Sequence, residues 1–558
     1  MDTREQPTAT TTTGARALVD ALRREGVDHV FGIPGTQNLA FLDVLRETPQ
    51  IRFILTRHEQ GAAFMAFGFA RASGRPGVVT ATEGPGVTNL ATGIAAAYRA
   101  FVPVISVTGV NPVGLRERET NQELDQVPFL RPITKWAYSV PNGGKVQEAL
   151  RKAFRVALTE PLGPTHIEAS AEILLEKTAV EPTLPAAYRH TVLPACSSAQ
   201  LDEVAALLAS AKRPVFVAGS GVLREGATDA LMALAARTGI PVATLQYSPD
   251  AFPTTHPLAL GPLGRNGWSS ANRTVPKADL IVVIGGHIDV FSTTFKYGVF
   301  SESAKLVHQS AAPVQIGVVF PVTLGVAGST LDFVNGLNQR AAANGLNRAW
   351  VDVAKARADW DAAQLAELRA DAEPVQPQYA AHMLREVLPH NGLLVVDAGN
   401  AAKHVRCYFK SYEPGTFIFM DDWGSVGGGL PIALGAKLAR PDRPVMCAVG
   451  DAGAMYNFGE LETAMREKIP VVMVVFNDQG LGNERAFQNE HYGGRHFAVD
   501  FQNPDFGALA RVFGAHGEQV RHPRELEGAL KRALASGKPA VVDILIDQKS
   551  LAPVVFRL

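Results

Sequence analysis

Residues 445–477, VMCAVGDAGAMYNFGELETAMREKIPVVMVVFN, run strand, glycine-rich turn, helix, proline, strand. Val445–Val449 and Val471–Phe476 are short apolar runs rich in valine, the pattern of strands buried on both faces. The helical stretch between them supplies the crossover that two parallel strands require. The first strand ends in Gly450-Asp451-Ala452-Gly453 and the second in Asn477-Asp478-Gln479-Gly480. Adjacent parallel strands deliver their C-terminal ends to one edge of the sheet, where open α/β folds take their ligands. A carboxylate and an amide oxygen then converge on a shared point. Such oxygen ligands suit Mg2+ or Ca2+, and Mg2+ also takes phosphate oxygens. The small residues Ala452 and Gly453 would let a diphosphate approach the N–H groups that open the following helix. Taken alone, GDAG is more simply a strand-to-helix turn with Asp451 as its N-cap.

The same succession recurs near the N-terminus, in VVTATEGPGVTNLATGIAAAYRAFVPVISVTG. Gly84 precedes Pro103 by the interval that separates Asp451 from Pro470, and Gly86 and Gly453 hold matching places in the turn. Parallel units can share an interval by chance, but the match hints that two domains are copies of one fold. Around the first copy, His29–Gly32, Phe53–Leu55, Val78–Thr80 and Val104–Val107 read as buried strands. Helices are expected over Asn38–Leu45, Gly61–Ala72 and Thr88–Tyr98. A middle block shows helices at Leu201–Leu208 and Ala227–Arg237, with strands at Val215–Ala218, Val242–Leu245 and Leu280–Ile284. The last block adds strands Leu393–Val396 and Ala540–Ile544. Alternation of this kind predicts an α/β protein of three doubly wound parallel-sheet domains, over residues 14–180, 199–338 and 378–548. A linker (181–198) and a surface helix with a linker (339–377) join them, between a disordered N-terminus (1–13) and a C-terminal tail (549–558).

Composition agrees. At about 100–200 residues per domain, 558 residues suggest three domains or perhaps a fourth. Apolar residues at 46% and charged residues at 19% supply cores and exclude wholesale disorder. A net charge of -1 leaves no electrostatic footprint for nucleic acid or an acidic membrane. Cys196, Cys407 and Cys447 lie far apart, without metal-ligand or disulfide spacing, which fits a reducing compartment. The longest apolar stretch, Ile469–Phe476, is far short of the roughly 20 residues of a membrane span, and the Thr-rich start has no signal region. A soluble, cytoplasmic protein is expected.

GDAGAMYNFGELETA followed by VVFND resembles the motif of thiamin diphosphate (ThDP) enzymes. RHEQGAAFMAFGFAR, EGPGVTNLATGIAAAY, PVISVTG, ITKW, GSVGGGLPIALGAKLARPDRPV and PDFGALARVFGA, in that order and over nearly the whole chain, resemble the acetolactate synthase and benzoylformate decarboxylase superfamily. The resemblance implies pyrimidine-binding, central and diphosphate-binding domains. It implies that Glu59 in RHEQGAA lies beside the cofactor's aminopyrimidine and favours the tautomer whose imine removes the C2 proton over a short, enforced distance. A solvated helix-start acid would not be followed by the small and apolar run Gly61–Ala70. It further implies that Val426 is the wedge under the bent cofactor and that Gly424 offers a carbonyl to its amino group. Asn400, Gly450, Asp451, Ala452, Gly453, Asn477, Gly480 and Leu481 would surround the diphosphate, with Asp451, Asn477 and the Gln479 carbonyl as Mg2+ ligands. Three departures stand out. Val426 is smaller than the usual wedge, Ala452 replaces the last glycine of GDG, and Asp478 replaces the second asparagine and adds charge near the anion.

Substrate-side residues are less uniform. Thr36 in GIPGTQN stands where benzoylformate decarboxylases carry a catalytic serine, but the histidine before the glycine turn is absent, Thr82 and Glu83 standing there instead. No adjacent His-His pair occurs, which argues against the pyruvate decarboxylase subgroup. Gln122 in NQELDQVP matches the substrate-side glutamine of acetolactate synthases, and reads equally as an ordinary loop residue. Leu481, Phe487 and Trp423 are candidates for an apolar acceptor pocket or for core packing. In the central block, GGHIDV has His287 where flavin-binding relatives have arginine, and LVHQSAAP lacks their aspartate, so FAD is expected to be absent or weakly held. The implied enzyme forms an enamine from a 2-oxo acid, by default pyruvate, and passes it to a carbonyl acceptor. A non-oxidative decarboxylase, an acyloin-cleaving lyase and a catalytically silent ThDP-binding paralogue remain open. A nucleotide-dependent oxidoreductase lacks its strand-linked GxGxxG. The resemblance also implies a homodimer or homotetramer in which Glu59 of one subunit meets the diphosphate domain of the other.

Overall fold

The computed structural model describes residues 10–552 except 181, 191, 295–297, 345–347 and 421–422. Its strands form three parallel six-stranded sheets and one two-stranded ribbon. In spatial order, the first sheet contains Arg52–Leu55, His29–Gly32, Gly77–Ala81, Val104–Val110, Thr165–Ser170 and Trp136–Ser139. The third contains Phe417–Phe419, Leu393–Val396, Val445–Gly450, Val472–Asn477, Ala540–Leu545 and His516–Val520. Numbered within its own domain, each reads second, first, third, fourth, sixth, fifth. The matching intervals in the sequence therefore reflect one architecture used twice. The central sheet has a different order: third, second, first, fourth, fifth, sixth.

The two like domains share a continuous core, whereas the central domain has its own. Helix Glu59–Ser73 packs on helix Gly429–Ala439, and residues Gly61–Ala70 and Gly429–Ala436 are buried all round. Both helices are made of small and apolar residues, which permits backbone to meet backbone. A Cβ placed on Gly68 would lie 2.1 Å from the Ile432 carbonyl oxygen, and one on Gly435 would lie 2.0 Å from that of Met65. Gly68→Ala is therefore expected to lower stability by about 1–3 kcal/mol through overpacking, seen as a lower melting temperature. Gly114→Ala, with nothing within 4 Å of its Cβ position, is the control and should melt like the parent.

Three expected boundaries are corrected. Thr10–Thr13 is not disordered: it pairs antiparallel with Lys177–Val180, joining the two ends of the first domain. Its β-branched threonines suit a strand, but nothing local announces a partner so distant in the chain; residues 1–9 lie outside the described residues. The linker 181–198 is partly built into the central domain, since buried Cys196 donates its N–H to Asp332 Oδ2 at 2.7 Å. Helix Thr330–Asn344 continues past 338, and the surface helix proper is Val353–Glu367, anchored by Trp360 against Trp268. No helix among the described residues is long and apolar enough to cross a membrane.

Candidate active site

In the third sheet, Leu393–Val396 and Val445–Gly450 are neighbours at the point where strand order reverses. A crevice opens there at the carboxyl ends of the strands. Gly450 is in register with Phe476 on the next strand, so Asp451 and Asn477 emerge side by side. A cavity of about 420 Å³ occupies the crevice. Asn400, Gly424, Val426, Gly450, Asp451, Ala452, Gly453, Gly480 and Leu481 all line it, as do Trp423 and Phe487. Cβ positions on Gly399, Gly424 and Gly450 would meet nothing within 4 Å, leaving room for a ligand against the backbone. At Gly453 a Cβ would instead lie 2.4 Å from Asp397 Oδ2 and 3.2 Å from Val426 Cγ1, so Val426 packs directly on the turn.

Asp451 is only 1% exposed. Its Oδ1 accepts from Ala452 N at 2.8 Å, and its Oδ2 accepts from Gly480 N at 3.2 Å and Asn503 Nδ2 at 2.7 Å. The same Asn503 Nδ2 donates to Asn477 Oδ1 at 3.0 Å. The two oxygens thus converge on one atom, a geometry suited to a divalent cation. Burial pushes the Asp451 carboxyl up to about 6, against the opposing pull of these hydrogen bonds. The orientation of Asn477 is set from behind, where its Nδ2 donates to buried Asp543 Oδ1 at 3.0 Å. Asn477 and Gln479 do not line the cavity. Gln479 sits in the left-handed region at φ 52°, with its carbonyl accepting from Phe501 N at 3.1 Å. Asp478 is buried, and burial together with the Asp451 charge raises its carboxyl to about 7. Its charge does not stand alone near the cavity: Arg485 Nη1 donates to Asp478 Oδ2 at 3.2 Å, while Nη2 reaches Asp500 Oδ1 at 2.7 Å.

The first domain has a second cluster at the corresponding edge. Glu59 opens its helix half-buried, and its Oε2 accepts from Asn89 Nδ2 at 2.9 Å. A Cβ on Gly86 would lie 3.6 Å from Glu59 Oε1, so the carboxylate faces the glycine turn that matches GDAG. Gln37 Nε2 donates to Gln122 Oε1 and to Asn111 Oδ1, both at 3.3 Å, and Thr82 Oγ1 donates to Gln37 Oε1. Thr36, beside Gln37, is exposed. The Gln122 loop is strained, with Glu117, Glu119 and Gln122 all at φ between 55° and 66°. It presses on the glycine turn, where a Cβ on Gly84 would come within 2.3 Å of the Gln122 carbonyl oxygen. Glu83, 1% exposed, accepts from Asn111 N at 2.6 Å, and burial holds its carboxyl above the ordinary value.

Glu59, Thr36 and Gln122 do not line the third-domain cavity of their own chain. Sequence reasoning missed Gln37, Asn503 and Asp543. Asp543 had a usable signal, being the single acid in the buried strand Ala540–Leu545. Asn503 lies in a loop and Gln37 in the short 3-10 turn Thr36–Asn38, polar stretches that carry no periodic signal.

Comparison with known proteins covers all three domains. Residues 12–129 match the thiamine pyrophosphate enzyme, N-terminal TPP binding domain; residues 201–337 match its central domain and residues 397–544 its C-terminal TPP binding domain. The chain is 35% identical to a "Probable acetolactate synthase large subunit" of Methanocaldococcus jannaschii, over 97% of this chain and 93% of that protein. It is 31% identical to the "Acetolactate synthase isozyme 3 large subunit" of Escherichia coli, over 96% and 95% of the two chains. Identity is also 31% to a "Sulfoacetaldehyde acetyltransferase" of Alcaligenes xylosoxydans, over 96% and 93%. With all three domains matched and likeness running from end to end, the protein belongs to the thiamine pyrophosphate (ThDP) enzyme family.

Proposed function

We propose that this ThDP enzyme is a Mg2+-dependent carboligase of the acetolactate synthase type. It decarboxylates a 2-oxo acid, by default pyruvate, and joins the remaining acyl unit to a carbonyl acceptor. The observation that carries this reading is the convergence of Asp451 and Asn477 oxygens beside a cavity whose glycine wall is open. The relatives named as acetolactate synthases, alike over almost their full length, support the reaction type.

Bound ThDP supplies the nucleophilic carbon and the electron sink. Asp451, Asn477 and the Gln479 carbonyl would hold Mg2+, with the Asn503 amide giving up its place between the two side-chain oxygens. Val426 would brace the cofactor, and Glu59 would hold a proton at the pyrimidine nitrogen. Leu481, Phe487 and Trp423 would keep water from the reacting carbon. In the overall reaction the donor's carboxylate leaves as CO2, its acyl carbon bonds to the acceptor's carbonyl carbon, and the acceptor oxygen takes up a proton. No external oxidant is needed.

Glu59, Thr36 and Gln122 stand apart from the third-domain cavity within one chain, which supports a site completed by a second copy in a homodimer or homotetramer. FAD has no part in this scheme. The His287 ring is edge-on to Phe101 at 5.1 Å, and burial drives its pKa down to about 4, so it offers no cation to a flavin phosphate. His308 Nε2 is engaged by the Gly286 carbonyl at 2.8 Å, and Gln309 Oε1 by Gly285 N at 2.8 Å. The free thiols of Cys196, Cys407 and Cys447 are consistent with the cytoplasm.

The test is a product screen. Full-length protein with ThDP and MgCl2 is given 2-oxo acids paired with carbonyl acceptors, and products are identified by mass. Release of CO2 with a new carbon–carbon bond is expected. Aldehyde alone would make the protein a decarboxylase, and absence of product with every donor would leave it a silent paralogue.

A further inference from the structure

The amides at the first-domain edge form a chain whose hydrogen-bond directions are forced. The chain begins at a group that can only accept, the backbone carbonyl of Asn121. Asn111 Nδ2 donates to it at 3.1 Å, so the other end of that amide, Asn111 Oδ1, is the acceptor. Gln37 Nε2 supplies a proton to Asn111 Oδ1 at 3.3 Å, which leaves Gln37 Oε1 to accept from the Thr82 hydroxyl. The remaining N–H of Gln37 then donates to Gln122 Oε1 at 3.3 Å. Gln122 thus spends its oxygen inward. Its Nε2, on the opposite side of the amide, makes no hydrogen bond among the described residues, and the side chain is only half-buried.

Each member of the chain is held in place. Asn111 is 6% exposed, and its backbone N–H donates to buried Glu83 Oε2 at 2.6 Å. A Cβ on Gly109 would lie 2.4 Å from Gln37 Cβ, so the Gln37 stem is packed against that strand. The Gln122 carbonyl presses on Gly84, and Glu59 Oε1 faces Gly86, so Gln122 and Glu59 share one glycine turn. An unguided glutamine offers its oxygen as readily as its N–H groups. The reacting end of a 2-oxo acid carries a carbonyl and a carboxylate, which only accept, so an amide already turned N–H outward meets it without reorganisation. We infer that Gln37, directed by Asn111, is a positioning residue that turns the Gln122 amide so that its N–H group, and not its oxygen, faces the 2-oxo acid. That Gln122 stands beside the substrate rests on the proposed function; the direction of the chain does not.

The experiment uses the full chain loaded with ThDP and Mg2+, as parent, Gln37→Met, Gln37→Glu, Gln122→Met and the double variant Gln37→Met/Gln122→Met. Methyl acetylphosphonate and methyl benzoylphosphonate, 2-oxo acid analogues with a small and a large side chain, are titrated calorimetrically. Exchange at C2 of the bound cofactor is measured beside them. Gln37→Met keeps the size and removes the guide, and should weaken the better analogue by about fivefold. A carboxylate at that place cannot donate, so Gln122 would turn its N–H inward, and Gln37→Glu should cost about tenfold or more. Gln122→Met should lose as much, and adding Gln37→Met to it should cost nothing further. C2 exchange should keep the parent rate throughout, because Glu59 is held separately by Asn89. Equal analogue affinity in the parent and both Gln37 variants would overturn the inference, as would a parent that binds neither analogue. Additive losses in the double variant, or slowed C2 exchange in Gln37→Met, would make Gln37 a packing residue and overturn it as well. A parent that binds an analogue with the expected pattern of losses yet joins no acceptor to any 2-oxo acid would end the carboligase reading and leave this inference standing.

Discussion

Replacing Glu59 with glutamine is expected to cut turnover by about 10²–10⁴-fold while ThDP stays bound. The carboxylate opens helix Glu59–Ser73 and takes a hydrogen bond from Asn89 Nδ2 at 2.9 Å. Glutamine preserves its size and one accepting oxygen but removes the charge that would hold a proton on the pyrimidine nitrogen. The contacts of the buried run Gly61–Ala70 are untouched, so the melting temperature should not move. This separates chemistry from folding. The decisive measurement is hydrogen–deuterium exchange at C2 of the bound cofactor, read by NMR after acid quench. Exchange as fast as in the parent would remove Glu59 from the mechanism.

Asp451→Ala is expected to abolish Mg2+-dependent retention of ThDP, at a cost of about 2–5 kcal/mol in cofactor binding. Asp451 Oδ2 is one of the two oxygens that converge on Asn503 Nδ2, and without it Asn477 alone supplies a side-chain oxygen there. Fluorescence titration of ThDP with and without MgCl2 checks this, and equal retention by parent and variant would undo the cation assignment. The pH dependence follows from the same group. Burial raises its carboxyl to about 6, so in the cation-free protein a proton occupies it below that pH. Retention of Mg2+ and ThDP should therefore fall as pH drops through about 6. For folding the sign is reversed. Between about 6 and the ordinary value of 3.8, the folded chain binds a proton that the unfolded chain has not yet taken. The cation-free protein should therefore gain stability from this residue as pH falls through that window, and Asp451→Ala should remove the gain.

The elements that carry the site were readable because they have strong local signatures. Val445–Gly450 and Val472–Asn477 are unbroken apolar strands, and the polar residues that end them stand out against that background. Glu59 was readable for a related reason, an acid at the head of a helix with no polar face. Asn503 was not readable. It reaches Asp451 and Asn477 from a loop, and no periodicity marks a residue whose role depends on where a loop returns. Thr10–Thr13 failed in the same way, since a polar strand has no signal apart from its partner Lys177–Val180. The replacement of asparagine by Asp478 looked like added charge beside an anion, and only the fold revealed Arg485 neutralising it from a later helix.

By itself, the sequence determined three α/β units, hinted that the first and third share one fold, and placed polar residues at the ends of neighbouring strands. Those are consequences of hydrophobic period and of spacing along the chain, which local physics imposes. The tertiary structure alone decided that Asp451 and Asn477 point at a common atom, and that Gln37 bridges Asn111 and Gln122. It also decided that Glu59 faces its own glycine turn and not the diphosphate crevice of its own chain. Convergence of that kind depends on how separate domains pack and where loops return, and pairwise distances across hundreds of residues leave no periodic trace in the order of amino acids.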